Sequence, residues 1–335
     1  MSKRAGRWTI TLPSKPRFLG YATNVGPEEG KGMLGQYYDS VQTDYMRGLF
    51  SAEQAERLYM REACDHALAK ANCLPTDMDM FIAGDLLNQI VTANFVARDL
   101  QIPFIGVYNA CASIGDALTL SGIMIDGNYA DKVLISVSSH YQTAERQYRY
   151  PIEHNIQRKA TNQCTVTGAA AAVLGYGEIG PQITHLTVGQ VVDYGLKDPN
   201  HMGAAMAPAA ADTFLRHMAD LGATPADYDL ILTGDLAAYG KTLFTHLVRQ
   251  AGFSLGNKYQ DAATLIYSQQ QQVNAGGSGA ACLAVVLFGY IFKEMAKGRW
   301  RRVLALATGA LFSPISYKQG ESIPCVAHAI VIEQQ

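Results

Sequence analysis

The sequence predicts an α/β protein made of two duplicated halves, and two observations lead to this prediction. Short apolar runs with the length of buried strands alternate with segments whose apolar residues recur at helical spacing. Several stretches of the first half also return, in the same order, in the second half. The predicted halves are residues 1–180 and residues 181–335.

The alternation of strand and helix signals is clearest in the first half. A helix is predicted to begin after Ser51, because the Ser51 hydroxyl can accept a hydrogen bond from the amide of Gln54 while the Gln54 side chain reaches back. Three apolar runs are predicted to be buried parallel strands: residues 80–83, 105–108 and 133–137. A helix predicted over residues 113–125 separates the last two strands, which gives the βαβ order of an α/β fold.

Internal repeats support the duplication. Residues 75–86 and residues 225–236 are identical at six of twelve positions. Three weaker matches follow in the same order and pair residues 109–113 with 274–278, 127–135 with 298–305, and 169–174 with 327–332. Chance similarity between Asp-Gly turns and alanine-rich helices is the alternative, but several ordered matches favour duplication.

The overall composition excludes some classes of function. The 27 basic and 29 acidic residues give a formal charge of −2, which is unlike the basic surface of a nucleic-acid-binding protein. The six cysteines form no C-x-x-C pair, which is typical of free thiols in a reducing compartment. The longest apolar run, residues 280–292, is shorter than the ~20 residues of a membrane-spanning helix and is predicted to be a core helix. We expect a soluble protein without a signal peptide, whose contact with a membrane goes through partners.

Two motifs of the chain resemble those of the thiolase superfamily. Cys111 lies in the sequence Asn-Ala-Cys-Ala-Ser, between a predicted strand and a predicted helix, as the nucleophilic cysteine of that superfamily does. The loop formed by Gly276, Gly277 and Ser278 is similar to the superfamily's late glycine-rich loop. The resemblance implies a thiolase-like, layered αβαβα fold with a pseudo-twofold axis between the halves. It also implies that a homodimer can form through the first half.

A narrower resemblance, to the stage V sporulation protein AD family, rests on segments spread over most of the chain. They are residues 25–32, 149–151, 165–169, 202–208, 307–311 with 313–314, and 320–324. This resemblance implies a subunit that binds dipicolinic acid (pyridine-2,6-dicarboxylate) or its calcium complex. It further implies membrane-embedded channel subunits as partners, uptake of dipicolinic acid during sporulation, its release during germination, and a peripheral position at the spore inner membrane.

Cys111 has one physical argument for a catalytic role and one against it. Free amides and the dipole at a helix N-terminus favour a thiolate. In ketoacyl synthases, as the resemblance implies, a histidine follows the strand that here ends with residues 231–235, and this chain has Thr233, Gly234 and Asp235 there. The late loop, residues 269–281, contains no histidine either. We therefore expect a binding protein and not an enzyme; acyl transfer with Cys111 as the nucleophile and a purely structural subunit are the alternatives.

The candidate ligand-binding residues lie at strand ends and in the segment after His140. His140 follows the strand predicted over residues 133–137, and ligands of α/β sheets bind beyond strand ends. Arg146 and Arg149 alternate with tyrosines in a predicted loop. We expect their guanidinium groups to clamp the ligand's carboxylates while a tyrosine stacks on the pyridine ring. A solvated loop or a dimer contact is the alternative for this segment.

The predicted pocket lies between the two halves. Apart from the two arginines, its predicted lining is Asn109, Cys111, His140, Asp235, Gly276, Gly277 and Ser278. The eight histidines show none of the short spacings of metal ligands, so the sequence predicts no metal site of the protein's own.

Overall fold

The computed structural model describes residues 3–148 and 159–334. The strands of this part of the chain are β1 (Thr9–Thr11), β2 (Arg17–Val25), β3 (Ser40–Val41), β4 (Met80–Gly84), β5 (Phe104–Gly106), β6 (Lys132–Ser139), β7 (Gln163–Thr165), β8 (Gly168–Gly175), β9 (Gln182–Val188), β10 (Leu230–Thr233), β11 (Tyr259–Asp261), β12 (Gly276–Ser278), β13 (Arg302–Ala310) and β14 (Cys325–Glu333). The α-helices are α1 (Pro27–Gly30), α2 (Ala52–Lys70), α3 (Val91–Leu100), α4 (Ser113–Asp126), α5 (Tyr141–Tyr148), α6 (Met202–Leu221), α7 (Ala237–Gln250), α8 (Ala280–Val285), α9 (Phe292–Ala296) and α10 (Pro314–Lys318).

The main sheet contains the same strand order twice. The first half contributes β5-β4-β6-β8-β2, the second contributes β11-β10-β13-β14-β9, and β2 meets β9 where Arg17 pairs with Gln182. In the first set β4 is parallel to β5 and β6, whereas β8 is antiparallel to β6 and β2. The second set repeats this pattern, with β10 parallel to β11 and β13 and with β14 antiparallel to β13 and β9. The predicted fold of two duplicated α/β halves is confirmed, while the division between residues 180 and 181 stays a prediction.

Helices form three layers around the two sets of strands. Helix α2, with α3 packed beside it, covers β2 and β8 from outside, and α6, with α7 packed on it, covers β13 and β14. Helix α4 lies between the sets and contacts β4 and β6 on one side and β13 and β14 on the other. The predicted core helix is α8, which continues through a π-helical segment, Val286–Ile291, into α9. Residues 280–292 are all buried, as an apolar run of this length predicts.

The best-conserved internal repeat performs the same structural task in both halves. The Asp79 carboxylate accepts hydrogen bonds from the amides of Asp131 and Lys132, at 2.7 and 3.0 Å, where β6 begins. The Asp229 carboxylate accepts from the amides of Arg301 and Arg302, at 2.8 and 2.9 Å, where β13 begins. Each carboxylate therefore fixes the start of the strand that lies next to its own, because it satisfies two donors that the sheet leaves open.

Two local predictions can be compared directly with the structure. The Ser51 side chain accepts from the Gln54 amide at 3.2 Å and α2 begins at the next residue, as predicted. The strand predicted over residues 105–108 is instead β5, which ends at Gly106 because the chain turns there toward Cys111. Within the described ranges, no helix is both long enough and apolar enough to cross a bilayer.

Candidate functional site

Cys111 lies in a tight turn between β5 and α4. Ala110 has a φ of 53°, and one turn of 3-10 helix leads directly into α4. The Ser113 hydroxyl accepts from the amide of Asn109 at 3.1 Å and donates to the carbonyl of Ala110 at 2.8 Å, so it holds the turn closed. A Cβ at Gly309 would lie 2.2 Å from the Asn109 carbonyl oxygen, so this approach of β13 to the turn requires glycine.

The second half contributes the groups that face the thiol. The Cys111 Sγ lies 3.5 Å from the Ser278 Oγ, and the Asp235 carboxyl lies next to both side chains. The amide of Gly279 donates to the Asp235 Oδ1 at 2.6 Å. Gly279 has a φ of 119°, which a residue with a side chain rarely adopts, and this conformation aims its amide at the carboxyl. Cys111, Asp235 and Ser278 are therefore brought together as the sequence predicted.

Burial disfavours the charged form of both acidic groups of this cluster. Burial raises the pKa of the Cys111 thiol well above its usual value, and the neighbouring Asp235 carboxyl raises it further. Burial likewise raises the pKa of Asp235, and the negative charge of Asp261 adds to the shift. Burial therefore opposes the thiolate that a helix N-terminus favours.

Asp235 has a different task from its counterpart in the first half. Asp85, at the matching position of the repeat, accepts from the amides of Leu87 and Ala93, both at 2.8 Å, and so closes its own turn. In the second half, Ala237 is the counterpart of Leu87, and its amide donates to Asp261 at 2.9 Å, as does the amide of Leu236 at 3.1 Å. The Asp235 side chain therefore points to Cys111 and Ser278 instead.

A cleft opens above this cluster and encloses about 610 Å³, part of which is open to solvent. Its described lining comprises Leu86, Ala110, Cys111, Ala144, Glu145, Tyr148, Gln163, Thr165, Pro199, Asn200, Met202, Ser278, Gly279, Ala310 and Phe312. The rings of Tyr148 and Phe312 lie 5.8 Å apart at 46° and form an aromatic wall. The Tyr148 hydroxyl is fixed by the hydroxyl of Tyr108, at 2.7 Å, and by the carbonyl of Leu86. Polar side chains from both halves form the floor, and none of the described lining residues is lysine or arginine.

The structure does not bring His140 to the cleft. Its ring is buried between Tyr45 and Tyr59, its Nδ1 accepts from the amide of Gln142 at 3.2 Å, and its Nε2 then donates to the Tyr45 carbonyl at 3.1 Å. Burial lowers the pKa of His140 and keeps the ring neutral. The prediction that His140 lines this cleft is wrong, because both ring nitrogens are already used inside the first half.

Arg146 also lies outside the cleft. The segment predicted to be a loop is helix α5, which turns Ala144, Glu145 and Tyr148 toward the cleft and Arg146 toward solvent. Arg146 is about half exposed and forms an ion pair with Glu53. Arg146 is therefore not a carboxylate clamp of this cleft, and Arg149 lies outside the described residues.

The other predicted residues, Asn109, Gly276 and Gly277, lie next to the cleft and are not part of its lining. Asn109 lines a neighbouring groove, and its side-chain amide donates to Asp116 at 2.9 Å. Gly276 and Gly277 belong to β12, which runs beside β7. The Gln163 side-chain amide donates to the carbonyls of Asp235 and Gly277, at 2.6 and 3.1 Å, and ties β7 to the second half.

Sequence reasoning missed several lining residues that come from segments quoted for the family resemblance. Thr165 and Met202 are the first residues of two of those segments. Phe312 lies between residues 307–311 and 313–314, which together form a third. A search restricted to charged and nucleophilic side chains overlooks them, because their contribution is shape, an apolar surface and a hydroxyl.

Comparison with known proteins identifies the family. The chain matches the family "Stage V sporulation protein AD" over residues 6–333. It is 46% identical over 320 residues to the stage V sporulation protein AD of Bacillus subtilis (strain 168), and the match covers 95% of each chain. The chain belongs to the stage V sporulation protein AD family.

Solved structures show that this member of the stage V sporulation protein AD family has a thiolase-like fold. A 3-oxoacyl-[acyl-carrier-protein] synthase III from Aquifex aeolicus is similar with a TM-score of 0.61 at 13% identity, over 95% of this chain and 99% of that one. OleA from Xanthomonas campestris is similar with a TM-score of 0.63 at 17% identity, over 95% and 97% of the two chains. These likenesses establish the fold, and the family membership establishes a sporulation protein.

Proposed function

We propose that this chain is a non-enzymatic receptor that binds dipicolinic acid, pyridine-2,6-dicarboxylate, in the cleft between its halves. The observation that supports this proposal is the cleft above Cys111, at whose base burial raises the pKa of both the thiol and the Asp235 carboxyl. Among the described residues that contact the Cys111 thiol there is no histidine. Such a cleft can hold a small molecule without attacking it.

The lining suits a flat ring that carries polar substituents. The Tyr148 and Phe312 side chains offer an aromatic surface on which a pyridine ring can stack. The Ser278 and Thr165 hydroxyls and the Asn200 side chain line the cleft and can donate to carboxylate oxygens and to a ring nitrogen. A few polar groups in a mainly apolar cleft are the usual basis of specificity in small-molecule sites.

The charge of the cleft favours the calcium complex over the free dianion. A dicarboxylate without a counterion would enter a cleft whose described lining includes Glu145 and no lysine or arginine. A bound Ca²⁺ cancels the two negative charges of the ligand, so the complex loses much less hydration free energy on burial. We therefore propose calcium dipicolinate as the form that binds more tightly.

The partners belong to the same proposal. We propose that the receptor passes its ligand to membrane-embedded channel subunits at the spore inner membrane, during uptake in sporulation and release in germination. A homodimer through the first half is proposed as well. Strand β5 is the end strand of the described sheet, and Ile105 and Tyr108 beside it are 38% and 44% exposed. An exposed strand edge flanked by apolar side chains favours pairing with a second copy.

Calorimetry of the full chain tests the ligand directly. We expect one calcium dipicolinate to bind per chain, roughly tenfold more tightly than dipicolinate with a chelator present. Benzene-1,3-dicarboxylate, which has the same shape but lacks the ring nitrogen, is the matched control and should bind more weakly than either form. If neither form gives heat at ~1 mM while the channel partners still bind, the chain is a scaffold and not a receptor.

The rival function is acyl transfer by Cys111, which the position of the thiol at the start of α4 favours. Because the pKa of the thiol is raised, we expect no acyl adduct after incubation with acetyl-coenzyme A at pH 7, as measured by intact mass. Cys111→Ala, compared with unaltered protein, identifies any adduct at this position. A stoichiometric adduct that disappears in this variant would establish a nucleophile and overturn the binding-only proposal.

A further inference from the structure

A second cleft lies on the other side of β7 and has a different chemical character. The side chains of β7 are shared between the two clefts, since Gln163 lines the first, Cys164 lines the second and Thr165 contributes to both. The second cleft encloses about 570 Å³, including open solvent. It is therefore large enough for a small molecule and is separated from the first cleft by a single strand.

Acidic and aromatic side chains dominate the second cleft. Its lining includes three tyrosines, Tyr45, Tyr141 and Tyr267, and two glutamates, Glu28 and Glu29, with no lysine or arginine among the described lining residues. Carboxylates attract a cation by charge, and the faces of aromatic rings attract it through their quadrupole. The combination is typical of sites for organic ammonium ions.

Glu29 is a buried carboxyl in the lining of the second cleft, and one of its oxygens has no hydrogen-bond partner. The residue is only 2% exposed, and its Oε1 accepts from the hydroxyl of Tyr267 at 2.6 Å and from the amide of Thr167 at 2.9 Å. Its Oε2 is buried and has no hydrogen-bond partner. Glu28, in contrast, is already paired with Lys31 at 2.8 Å. Ionisation of a buried carboxyl with an unpartnered oxygen costs free energy, and the charge of a cation in the cleft that Glu29 lines would lower that cost.

We propose that this second cleft binds a small organic ammonium ion, with the Glu29 carboxylate as its counter-charge and the three tyrosines as its wall. An ammonium ion is favoured over a metal ion because the described residues contain no group of three or more histidine, cysteine, aspartate or glutamate side chains that could hold a metal ion. This site is independent of the proposed receptor cleft, and the two proposals can fail separately.

The site gives the binding a defined pH dependence. Burial raises the pKa of Glu29 to about 7, so the carboxyl is ionised only above that pH when the cleft is empty. The charge of Glu28 acts on Glu29, and the charge of Glu29 in turn acts on the phenols of Tyr38, Tyr45, Tyr59 and Tyr267. Burial raises the pKa of all four phenols, so they do not titrate near pH 7. Affinity for a cation should therefore rise with pH up to about pH 7 and stay constant above it.

Choline and its neutral isostere 3,3-dimethylbutan-1-ol are the probes that test this site on the full chain. We expect choline to bind at pH 8 and the alcohol to bind at least roughly tenfold more weakly, because it lacks the charge. Glu29→Gln should weaken choline binding by a similar factor and abolish its pH dependence. Glu178→Gln, which removes a carboxylate from an exposed position, should leave the affinity unchanged.

A second pair of variants keeps the test informative if Glu29→Gln does not fold. Tyr45→Phe keeps an aromatic ring in the wall and should retain choline binding, whereas Tyr45→Leu should lose most of it. Equal binding of choline and the alcohol, or choline binding unaffected by Glu29→Gln, would overturn the proposal. Glu29-dependent binding of Ca²⁺ without binding of choline would overturn it as well, since the site would then be a metal site.

Discussion

Ala144→Trp is expected to weaken the binding of calcium dipicolinate by at least about a hundredfold. Ala144 lies in the middle of α5, is 4% exposed and lines the cleft above Cys111. An indole at this position would occupy the volume that the pyridine ring needs, and a ligand site tolerates such an overlap poorly. Calorimetry of the variant, at the concentrations that give full binding to the unaltered chain, measures the effect.

Gln142→Trp is the matched control for this substitution. Gln142 lies on the same helix but is exposed and does not line the cleft, so the same new side chain should leave ligand binding unchanged. Circular dichroism and the melting temperature show whether each variant is folded, and Ala144→Met offers a smaller obstruction if tryptophan is too large. Equal affinities in folded Ala144→Trp and Gln142→Trp would place the ligand outside this cleft.

The second large effect concerns stability, which we expect to fall as the pH rises from about 5 to about 8. Burial raises the pKa of Glu29 to about 7 and that of Glu56 to about 8, and the nearby Asp85 adds to the shift of Glu56. Burial also raises the pKa values of Asp85 and Asp261 to about 6. Each folded-state pKa lies above the unfolded value, so the folded chain holds more protons in this range and raising the pH favours unfolding.

The size of this effect follows from the shifts. One pKa unit corresponds to about 1.4 kcal/mol, so Glu29 alone accounts for roughly 3 kcal/mol between pH 4.5 and pH 7. We expect a melting temperature roughly 5–10 °C lower at pH 8 than at pH 5.5, measured by differential scanning calorimetry. A melting temperature that increases over the same range would contradict the assignment of neutral buried carboxyls.

Glu56→Gln separates this cause from general charge effects. The Ser138 and Thr143 hydroxyls lie 2.8 and 3.0 Å from the two oxygens of Glu56. An amide of the same size can keep both contacts, because its oxygen can accept from Ser138 while its NH2 donates to Thr143, whose own hydroxyl can donate to the carbonyl of His140. The variant should be less sensitive to pH between 6 and 8, while its melting temperature at pH 5.5 stays close to that of the unaltered chain. Asp65→Asn, at an exposed position, should not change the pH dependence.

The fold could be predicted from the sequence because the repeated residues make the same structural contacts in both halves. Asp79 and Asp229 recur because each accepts two amides at the start of a neighbouring strand. Ser51 is not part of a repeat, but its hydroxyl accepts from the amide of Gln54, three residues later. The start of α2 therefore depends on residues that are close in sequence. Interactions between residues that are close in sequence, or that repeat, are the ones a single sequence can reveal.

The site was harder to predict because long-range contacts decide which side chains remain available. The His140 ring is hydrogen-bonded to the carbonyl of Tyr45, 95 residues away in the chain. Arg146 is paired with Glu53, 93 residues away. The helical phase of α5 decides which of its side chains reach the cleft, and a segment of eight residues shows no clear periodicity. Cys111, Asp235 and Ser278 were predicted correctly to lie together because the family resemblance supplied their relation across the halves.

The different tasks of Asp85 and Asp235 have a consequence for evolution. In the first half the carboxylate at this position holds its own turn together, so selection for folding constrains it. In the second half Asp261 accepts from the amides of Leu236 and Ala237, so the carboxyl at position 235 is released from that duty and reaches across to Gly279 instead. Duplication has thereby turned one of two equivalent carboxyls from an internal clasp of its own turn into a group that faces the cleft.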